Sequence, residues 1–419
     1  MKRFLLPIIV LALAAVGCTE DKYVASVDDL LLVRLDPDSG YEGDIVNVLG
    51  RNFSSSFGEN KVTVGGKEAK IIEFTKDQIT VIVPENELGT YPVEVTTPKG
   101  TISSESVKFT YKKRPEKMYT VTTVAGNGSN SLKDDIGTSA SIGQIEGLSF
   151  APDGTLWFCQ RSAGNGIRTF NPSTKMVKTV ASPVPLPWGG DFDAAGNFFY
   201  AQKDAKAIGK IEVGTGAASV FETDAQMNAT MYVKIDSKGD MWIASRGNNT
   251  VYRVHGSSVA EQYTGEKYFP ASLAIDSKDR VFFGSTQLRG IFMISGGEVT
   301  KIAGSGQKPT KDNFMDSLTG NPLDLNVGYV GGIDFGPDGT LYYTDYLTFT
   351  VMQVVPDGDD YSKGKVSIVA GLPFTNAITN GTTDKASFKY PSGIAVSPDG
   401  KKIYVSEPTG YVLRVIDLS

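Results

Sequence analysis

Short apolar segments alternate with turn residues along nearly the whole chain of 419 residues. In the segments 45–48, 61–64 and 79–83, apolar and polar residues alternate one by one, which is typical of strands with one buried face. Glycine and proline residues separate these segments, as turns between strands require. The pattern predicts an all-β protein.

The segment 27–111 predicts a small β-sandwich. Its strands are short and closely spaced, which indicates an immunoglobulin-like pair of sheets. The glycines and prolines of 37–50, the sequence Gly50-Arg51-Asn52-Phe53 and the ending Phe109-Thr110-Tyr111 resemble the IPT/TIG domain. The resemblance implies a spacer or a docking module, and we expect a spacer. The charged residues 112–117, which include a proline, are interpreted as a linker.

The rest of the chain, residues 118–419, contains six repeats. The tight turns that align them end at Gly154, Gly196, Gly239, Asp279, Gly339 and Gly400, with spacings of 42, 43, 40, 60 and 61 residues. An apolar residue precedes each turn, and an aromatic residue follows it at Trp157, Phe199, Trp242, Phe282, Tyr342 and Tyr404. Each repeat predicts four strands, and four-stranded units at this period form a β-propeller. We expect the aromatic residues to pack between the blades.

The sixth repeat ends after its third strand, so another part of the chain must complete it. The segments 123–126, 301–304 and 367–371 all end in Ala-Gly, and the first of them precedes the first repeat. We therefore expect residues 118–124 to supply the missing strand and to remove an open edge. The sequence 391–406 resembles the NHL repeat. This resemblance implies six blades but no single function, because NHL propellers serve both as binding platforms and as enzymes.

The first residues are interpreted as an export signal. Lys2 and Arg3 precede an apolar run, residues 4–16, that is too short to cross a bilayer. Ala15-Val16-Gly17-Cys18 resembles the lipobox of bacterial lipoproteins, which implies lipidation of Cys18. The acidic residues that follow resemble the signal that sends some lipoproteins to the outer face of the outer membrane. The sequence thus predicts a signal peptide over 1–17, a lipidated tether over 18–26 and a location on the cell exterior.

Composition narrows the possible chemistry. The chain has 41 basic and 47 acidic residues and a net charge of −6, which argues against a nucleic-acid partner. One histidine and two cysteines are too few for nearly all metal sites built from these residues and for a disulfide scaffold. We predict no metal and no cofactor, and we expect Cys159 to be a small buried residue.

Residues at the start of the inner strands should surround one mouth of the central channel. They are Glu146, Trp188, Met231, Ala271, Gly331 and Ser392. An exposed Trp188 would be suited to stacking on a sugar ring, although it could instead pack under a neighbouring loop. Arg161, Lys203 and Arg246 occupy one repeat position in three consecutive blades, so they should lie side by side and could bind an acidic group. Charged loop tips without a function are the alternative.

Three long connections, 127–144, 305–330 and 372–391, should overhang the same face, where functional loops often lie. We expect them to bring aromatic residues to the mouth: Phe314, Tyr329, Phe374, Phe388 and Tyr390. The shorter turns of this face contain Gln287 and Tyr346. The predicted ligand site consists of Glu146, Arg161, Trp188, Lys203, Arg246, Gln287, Tyr329 and Tyr346.

A metal-dependent or histidine-dependent enzyme is not favoured. Glu146-Gly147 resembles the channel glutamate of gluconolactonase-like propellers, which hold a divalent metal, but Met231 and Ala271 offer no oxygen ligand at the equivalent positions. Lyases built on propellers depend on histidines, whereas His255, the single histidine, should lie on the opposite face of the ring.

A carboxylate mechanism stays open at this point. Glu146 and Asp345 are the catalytic candidates if the protein is an enzyme, and Asp191 and Asp334 lie within inner strands.

The sequence favours binding over catalysis. We expect a lipid-anchored protein of the outer membrane whose propeller binds an extracellular glycan on the loop-rich face. Resemblance to surface lipoproteins implies a polysaccharide transporter complex as a partner. A carbohydrate-active hydrolase or lyase and a protein-interaction scaffold are the alternatives.

Overall fold

The structure is a computed structural model that describes residues 29–112, 118–204 and 206–419. The chain divides into two compact units, residues 1–115 and 116–419. The predicted signal peptide and tether, with Cys18, lie outside the described residues, as does most of the predicted linker. No helix among the described residues is long and apolar enough to span a membrane.

The first unit is the predicted sandwich. Its strands are β1 (Leu31–Asp36), β2 (Ser39–Gly40), β3 (Ile45–Arg51), β4 (Lys61–Val64), β5 (Lys67–Phe74), β6 (Gln78–Ile82), β7 (Gly89–Thr97) and β8 (Gly100–Tyr111). They are hydrogen-bonded in the order β1-β3-β6-β5-β4-β7-β8-β2. The alternating pattern works as expected, because Val46 and Val48 point into the core while Ile45 is exposed. The core also contains Val62, Val95 and Phe109.

The second unit is a six-bladed propeller. Strand β9 (Thr120–Ala125) precedes blade 1. Blade 1 contains β10 (Asp135–Ile136), β11 (Ile145–Phe150), β12 (Leu156–Gln160), β13 (Gly166–Phe170) and β14 (Met176–Ala181). Blade 2 contains β15 (Pro187–Phe192), β16 (Phe198–Gln202), β17 (Ala207–Ile211) and β18 (Ala218–Phe221). Blade 3 contains β19 (Thr230–Ile235), β20 (Met241–Ser245), β21 (Thr250–His255) and β22 (Ser258–Thr264).

The remaining blades follow the same plan. Blade 4 contains β23 (Pro270–Ile275), β24 (Val281–Ser285), β25 (Gly290–Ser295) and β26 (Glu298–Ala303). Blade 5 contains β27 (Val330–Phe335), β28 (Leu341–Asp345), β29 (Thr350–Asp357) and β30 (Asp360–Ala370). Blade 6 contains β31 (Gly381–Thr382), β32 (Ile394–Val396), β33 (Lys402–Glu407) and β34 (Val412–Asp417). The helical segments are short: Gly137–Ser139, Arg246–Asn248 and α1 (Phe314–Ser317).

The ring closes through a blade that the two ends of the propeller share. Strand β9 pairs antiparallel with β34, from Ala125 opposite Leu413 to Thr120 opposite Asp417. The predicted closure is therefore confirmed, with the strand at 120–125 in place of 118–124. Without β9, strand β34 would be an unpaired edge strand of blade 6, and closure removes this open edge.

Packing between blades also follows the prediction. The six aromatic residues after the tight turns are at most 8% exposed. Trp157, for example, lies edge-on to Phe192 of the next blade, with ring centroids 5.3 Å apart. Cys159 is buried in the same layer, and burial raises the pKa of its thiol.

Candidate functional site

One face of the ring is formed by the turns between second and third strands and by the connections that lead from one blade to the next. We call it the loop-rich face. The long connections 126–144, 304–329 and 371–393 all link the outer strand of one blade to the inner strand of the next, so they belong to this face as predicted. The opposite face consists of tight turns.

The aromatic residues of the long connections do not all reach the mouth, contrary to expectation. Phe314 and Phe388 are fully buried in the cores of blades 5 and 6. Phe374 packs against Phe314, with ring centroids 5.9 Å apart. Packing under the loop is favourable for large apolar side chains because it removes their surface from water. Tyr329 and Tyr390 keep accessible surface.

Two buried arginines hold the connections that flank blades 1 and 6. Arg168 donates from Nη1 to the carbonyl of Ser141 at 2.8 Å and to Oε1 of Gln160 at 2.9 Å. Its Nη2 donates to the carbonyl of Lys133 at 3.0 Å and to Oδ1 of Asp134 at 2.9 Å. The side chain of Arg168 is completely buried. These bonds fix the connection 126–144 to the third strand of blade 1.

Arg414 repeats this arrangement in blade 6. Its Nη1 donates to the carbonyl of Ser387 at 3.2 Å and to Oε1 of Glu407 at 2.6 Å. Its Nη2 donates to the carbonyl of Thr379 at 2.9 Å and to Oδ1 of Asn380 at 3.0 Å. Both long connections also add a short strand to the outer edge of a blade, β10 in blade 1 and β31 in blade 6. The rim of the loop-rich face is therefore held rigidly on this side.

Glu146 lies at the mouth of the channel and has two partners. Its carboxylate accepts a hydrogen bond from Nε of Arg161 and one from Oγ of Ser392, the latter at 2.8 Å. The Glu146 side chain is 7% exposed, whereas that of Arg161 is 29% exposed. The pair thus neutralises the carboxylate, and part of the Arg161 side chain stays accessible.

Trp188 lies under two cations. The guanidinium of Arg161 is 5.0 Å from the centre of its ring system, and the ammonium of Lys203 is 4.5 Å from it. The indole is half-buried and packs against the cores of blades 2 and 3. The sequence left open whether Trp188 is an exposed platform or packs under a neighbouring loop; in the structure, side chains cover part of its surface. It holds Arg161 and Lys203 at the mouth through cation–π contacts.

Arg246 does not join Arg161 and Lys203 on the indole. Its guanidinium is 5.9 Å from the ring centre of Phe269, the residue directly before the inner strand of blade 4. Arg289, from the turn of blade 4, lies 5.3 Å from the ring centre of Tyr329, directly before the inner strand of blade 5. Gln287 is exposed beside it.

The same relationship occurs three times around the ring, and Lys203 adds a contact with Trp188 of its own blade. A cation from the second-to-third turn of one blade lies over an aromatic ring at the entrance to the next blade, as Arg161 does on Trp188. We call the set the cation–aromatic arc, and its members are Arg161, Trp188, Lys203, Arg246, Phe269, Arg289 and Tyr329. Phe269 and the pairing of Arg289 with Tyr329 were not predicted from the sequence. An aromatic residue immediately before an inner strand was the signal that could have identified them.

Blades 5 and 6 contribute aromatic residues without cations. The rings of Tyr346 and Tyr390 are 4.7 Å apart at 32°, and Phe349 meets Tyr390 edge-on at 5.1 Å. Burial raises the pKa of Tyr346. The charges of Glu146 and Tyr390 raise this pKa further, and the charge of Arg161 lowers it. These electrostatic contributions put Tyr346 in the neighbourhood of the Glu146–Arg161 pair.

The channel is closed below this mouth. Tyr232, from the inner strand of blade 3, donates from its hydroxyl to the carbonyl of Glu146 in blade 1 at 3.3 Å. Its ring fits where Gly189 of blade 2 has no side chain, because a Cβ there would overlap the ring. A Cβ at Gly393 would likewise overlap the carbonyl oxygen of Glu146. Glycines thus let the inner strands approach closely, and the mouth has a floor.

The other candidate catalytic carboxylate, Asp345, is buried behind the mouth. Its two oxygens accept hydrogen bonds from the backbone N–H groups of Gly328, Leu347 and Thr348 at 2.7 to 3.2 Å. Burial raises the pKa of Asp345, and this effect is larger than the opposite effect of the hydrogen bonds. The carboxyl group thus stabilises the turn after β28. Among the described residues, no group of three or more His, Cys, Asp or Glu side chains is placed to hold a metal ion.

The tight-turn face has two adjoining cavities. One, of about 480 Å³, is lined by apolar residues such as Phe150 and Phe192, and the other, of about 240 Å³, contains Asp191, Lys234 and Asp334. Asp191 and Asp334 accept hydrogen bonds from backbone N–H groups of the following blade, at 3.2 and 2.8 Å. They link neighbouring inner strands.

His255 lies on the tight-turn face too, as expected. Its side chain is 80% exposed, and Nδ1 is 2.6 Å from Oδ1 of Asp240.

Comparison with known proteins identifies the first unit. The family model of the IPT/TIG domain matches residues 31–111. This part of the chain is an IPT/TIG domain. A comparison with curated proteins finds no matching sequence.

Solved structures resemble the chain over most of its length. An auxiliary nutrient binding protein from Bacteroides thetaiotaomicron VPI-5482 has a TM-score of 0.61 and 17% identity, and the alignment covers 93% of this chain and 98% of that one. An auxiliary nutrient binding protein from Bacteroides ovatus ATCC 8483 has a TM-score of 0.58 and 16% identity, with the same coverage of 93% and 98%. A structural genomics protein of unknown function from Bacteroides thetaiotaomicron VPI-5482 also has a TM-score of 0.58, at 17% identity, covering 93% and 98% of the two chains. At these identities the likeness shows a shared fold.

Proposed function

We propose that this protein is a surface-anchored binding protein that captures an extracellular glycan on the loop-rich face of its propeller. The observation that carries the proposal is the mouth itself. Seven side chains of the cation–aromatic arc and the Tyr346–Tyr390 pair surround a floor that Tyr232 closes. Aromatic rings with adjacent hydrogen-bond donors are the groups that sugar rings contact in binding sites.

Binding is favoured over hydrolysis by the state of the candidate carboxylates. Glu146 is engaged by Arg161 and Ser392, and the Asp345 oxygens face backbone N–H groups. A pair of catalytic carboxylates needs one group free to donate a proton and a second free to act as base or nucleophile. Two of the similar solved structures are auxiliary nutrient binding proteins, which supports a binding role for this chain as well.

The proposal includes the anchor that the sequence predicts. Lipidation of Cys18 would tether the chain to the outer membrane, with the IPT/TIG domain as a spacer and the propeller exposed to extracellular polymers. A polysaccharide transporter complex would then be the partner that receives the ligand. Labelling with a radioactive fatty acid in cells, with Cys18→Ala as the control, tests the anchor: label that persists in the variant would contradict it.

Binding is tested by affinity electrophoresis of the purified chain in gels that contain single polysaccharides. We expect retarded migration in at least one polysaccharide, and reduced retardation for Trp188→Ala and Tyr390→Ala. Phe57→Ala is the matched control, because Phe57 is 94% exposed and belongs to the IPT/TIG domain. Retardation by no polysaccharide would refute glycan binding and favour a protein-interaction scaffold. Release of shorter products from a bound polysaccharide would instead identify an enzyme.

A further inference from the structure

The cations of the arc differ in what they are bound to. Arg161 is paired with the carboxylate of Glu146. Lys203, Arg246 and Arg289 form no ion pair with a carboxylate among the residues that the structure describes; their contacts are with the rings of Trp188, Phe269 and Tyr329. The mouth therefore has an excess of positive charge, although the whole chain has a net charge of −6.

One nitrogen atom of the Arg289 guanidinium also lacks a hydrogen-bond partner within the described part of the chain. This atom is Nη1, which is buried. A buried guanidinium N–H without an acceptor is costly, and a ligand oxygen at this position would remove the cost. The rings beneath the cations keep the side chains in place, so less conformational entropy is lost when an anion binds.

Glu146, Asp345 and Glu407 all have other partners than these three cations. Glu146 is already bound by Arg161 and Ser392. Asp345 is held by backbone N–H groups, and Glu407 is completely buried against Arg414. The three remaining cations are therefore available to the acceptor atoms of a ligand.

We propose that the glycan is acidic, with carboxylate or sulfate groups that Lys203, Arg246 and Arg289 bind while the sugar rings contact the aromatic residues of the mouth. This inference rests on the proposed function and specifies its ligand class. Uronates and sulfate esters present the same chemistry here, namely an anionic group with several acceptor oxygens on a sugar ring. Guanidinium groups bind both through paired hydrogen bonds.

Isothermal titration calorimetry with matched polymers tests the proposal. The probes are polygalacturonate and its methyl ester, and chondroitin sulfate and desulfated, carboxyl-reduced chondroitin. We expect binding of at least one acidic polymer, at least tenfold weaker binding of its neutral counterpart, and affinity that falls as salt rises. A difference within the galacturonate pair shows carboxylate recognition, and chondroitin that is desulfated but keeps its carboxylates shows whether sulfate is required.

Variants of single cations connect the preference to the arc. Lys203→Met, Arg246→Met and Arg289→Met should each weaken binding of the acidic polymer by at least about tenfold, the lower end of the usual contribution of a hydrogen bond to a charged group. The control is Lys178→Met, which removes an exposed cation from the outer strand of blade 1. Each variant of the arc replaces a half-buried cation with an uncharged side chain, and circular dichroism verifies that it is folded.

The outcomes separate the two proposals. Equal affinity for acidic and neutral polymers would overturn the acidic specificity and leave glycan binding standing. Equal effects of Lys178→Met and Lys203→Met would also overturn it. Binding of polyglutamate as tight as that of the acidic polysaccharide would overturn both, because that polymer has the charge and no sugar.

Discussion

Arg168 in blade 1 and Arg414 in blade 6 make the same four hydrogen bonds, but their carboxylate and amide partners are exchanged. In blade 1 the strand supplies the amide of Gln160 and the connection supplies the carboxylate of Asp134. In blade 6 the strand supplies the carboxylate of Glu407 and the connection the amide of Asn380. Each arginine therefore has one carboxylate, which satisfies the requirement that a buried charge be paired.

The exchange can be tested by rebuilding blade 6 in the manner of blade 1. Glu407→Gln leaves Arg414 without a carboxylate, whereas Glu407→Gln combined with Asn380→Asp restores one. We expect the double variant to be more stable than the single variant by about 3 kcal/mol, the usual cost of an unpaired buried charge. Urea unfolding followed by circular dichroism measures the difference. Equal stabilities would show that Arg414 does not need a charged partner.

The same double variant predicts a change in pH dependence. The pKa of Glu407 is raised from 4.5 to about 7. Burial raises this pKa, and its effect exceeds that of Arg414 and the N–H of Lys389, which lower it. A carboxyl group with a higher pKa in the folded state stabilises the fold while protonated, so its contribution is present below about pH 4.5 and is lost as the pH rises to about 7.

In the double variant the carboxylate moves to the position equivalent to Asp134, where hydrogen bonds from Thr179 and Arg168 outweigh burial and lower the pKa. The free energy of unfolding of the native chain, measured relative to the double variant, should therefore fall between pH 4.5 and 7. A difference that does not change over this range would contradict the role of Glu407.

Because the inner strands approach closely at Gly393, we expect a side chain as small as a methyl group at this position to destabilise the propeller. Gly393→Ala would push the new Cβ into the carbonyl of Glu146 and separate blades 1 and 6. We expect a loss of about 1–3 kcal/mol in the free energy of unfolding and weaker ligand binding, because Glu146 and Arg161 would move. Gly214→Ala is the control, since a Cβ there meets nothing within 4 Å. A variant of Gly393 as stable as the control would show that the floor of the mouth is looser than described.

Ring closure predicts which truncations are tolerated. A chain of residues 116–419 retains β9 and should unfold cooperatively, whereas a chain of residues 127–419 lacks it and exposes the edge of β34. We expect the shorter chain to unfold at a lower temperature and to aggregate, because an open strand edge pairs with other chains. Thermal denaturation and size-exclusion chromatography compare the two. Identical behaviour would mean that β9 contributes little to blade 6.

Repetition made most of the fold predictable from the sequence. The tight turns and the aromatic residues that follow them recur often enough to count six blades, and the shared Ala-Gly ending identified the closing strand. Trp157 and Trp242 pack as expected because they belong to a repeating column, in which each residue has the same environment. Repeated positions are predictable because one packing solution applies to all of them.

The candidate site was less predictable because it depends on residues that do not repeat. The position of Trp188 at the mouth followed from the alignment, but its contacts with Arg161 and Lys203 depend on side-chain directions. The long connections have no periodic pattern, so the burial of Phe314 and Phe388 could not be distinguished from exposure. The roles of Arg168 and Arg414 also depend on partners distant in the sequence.

The shared blade also has a consequence for synthesis. Strand β9 is the first strand of the propeller to be synthesised, and its partner β34 is the last. Blade 6 therefore cannot form until β34 has been synthesised, and until then β9 has a free edge of backbone N–H and C=O groups. The nascent propeller needs protection from premature association during this interval, and the final step of its folding brings the two ends of the propeller together.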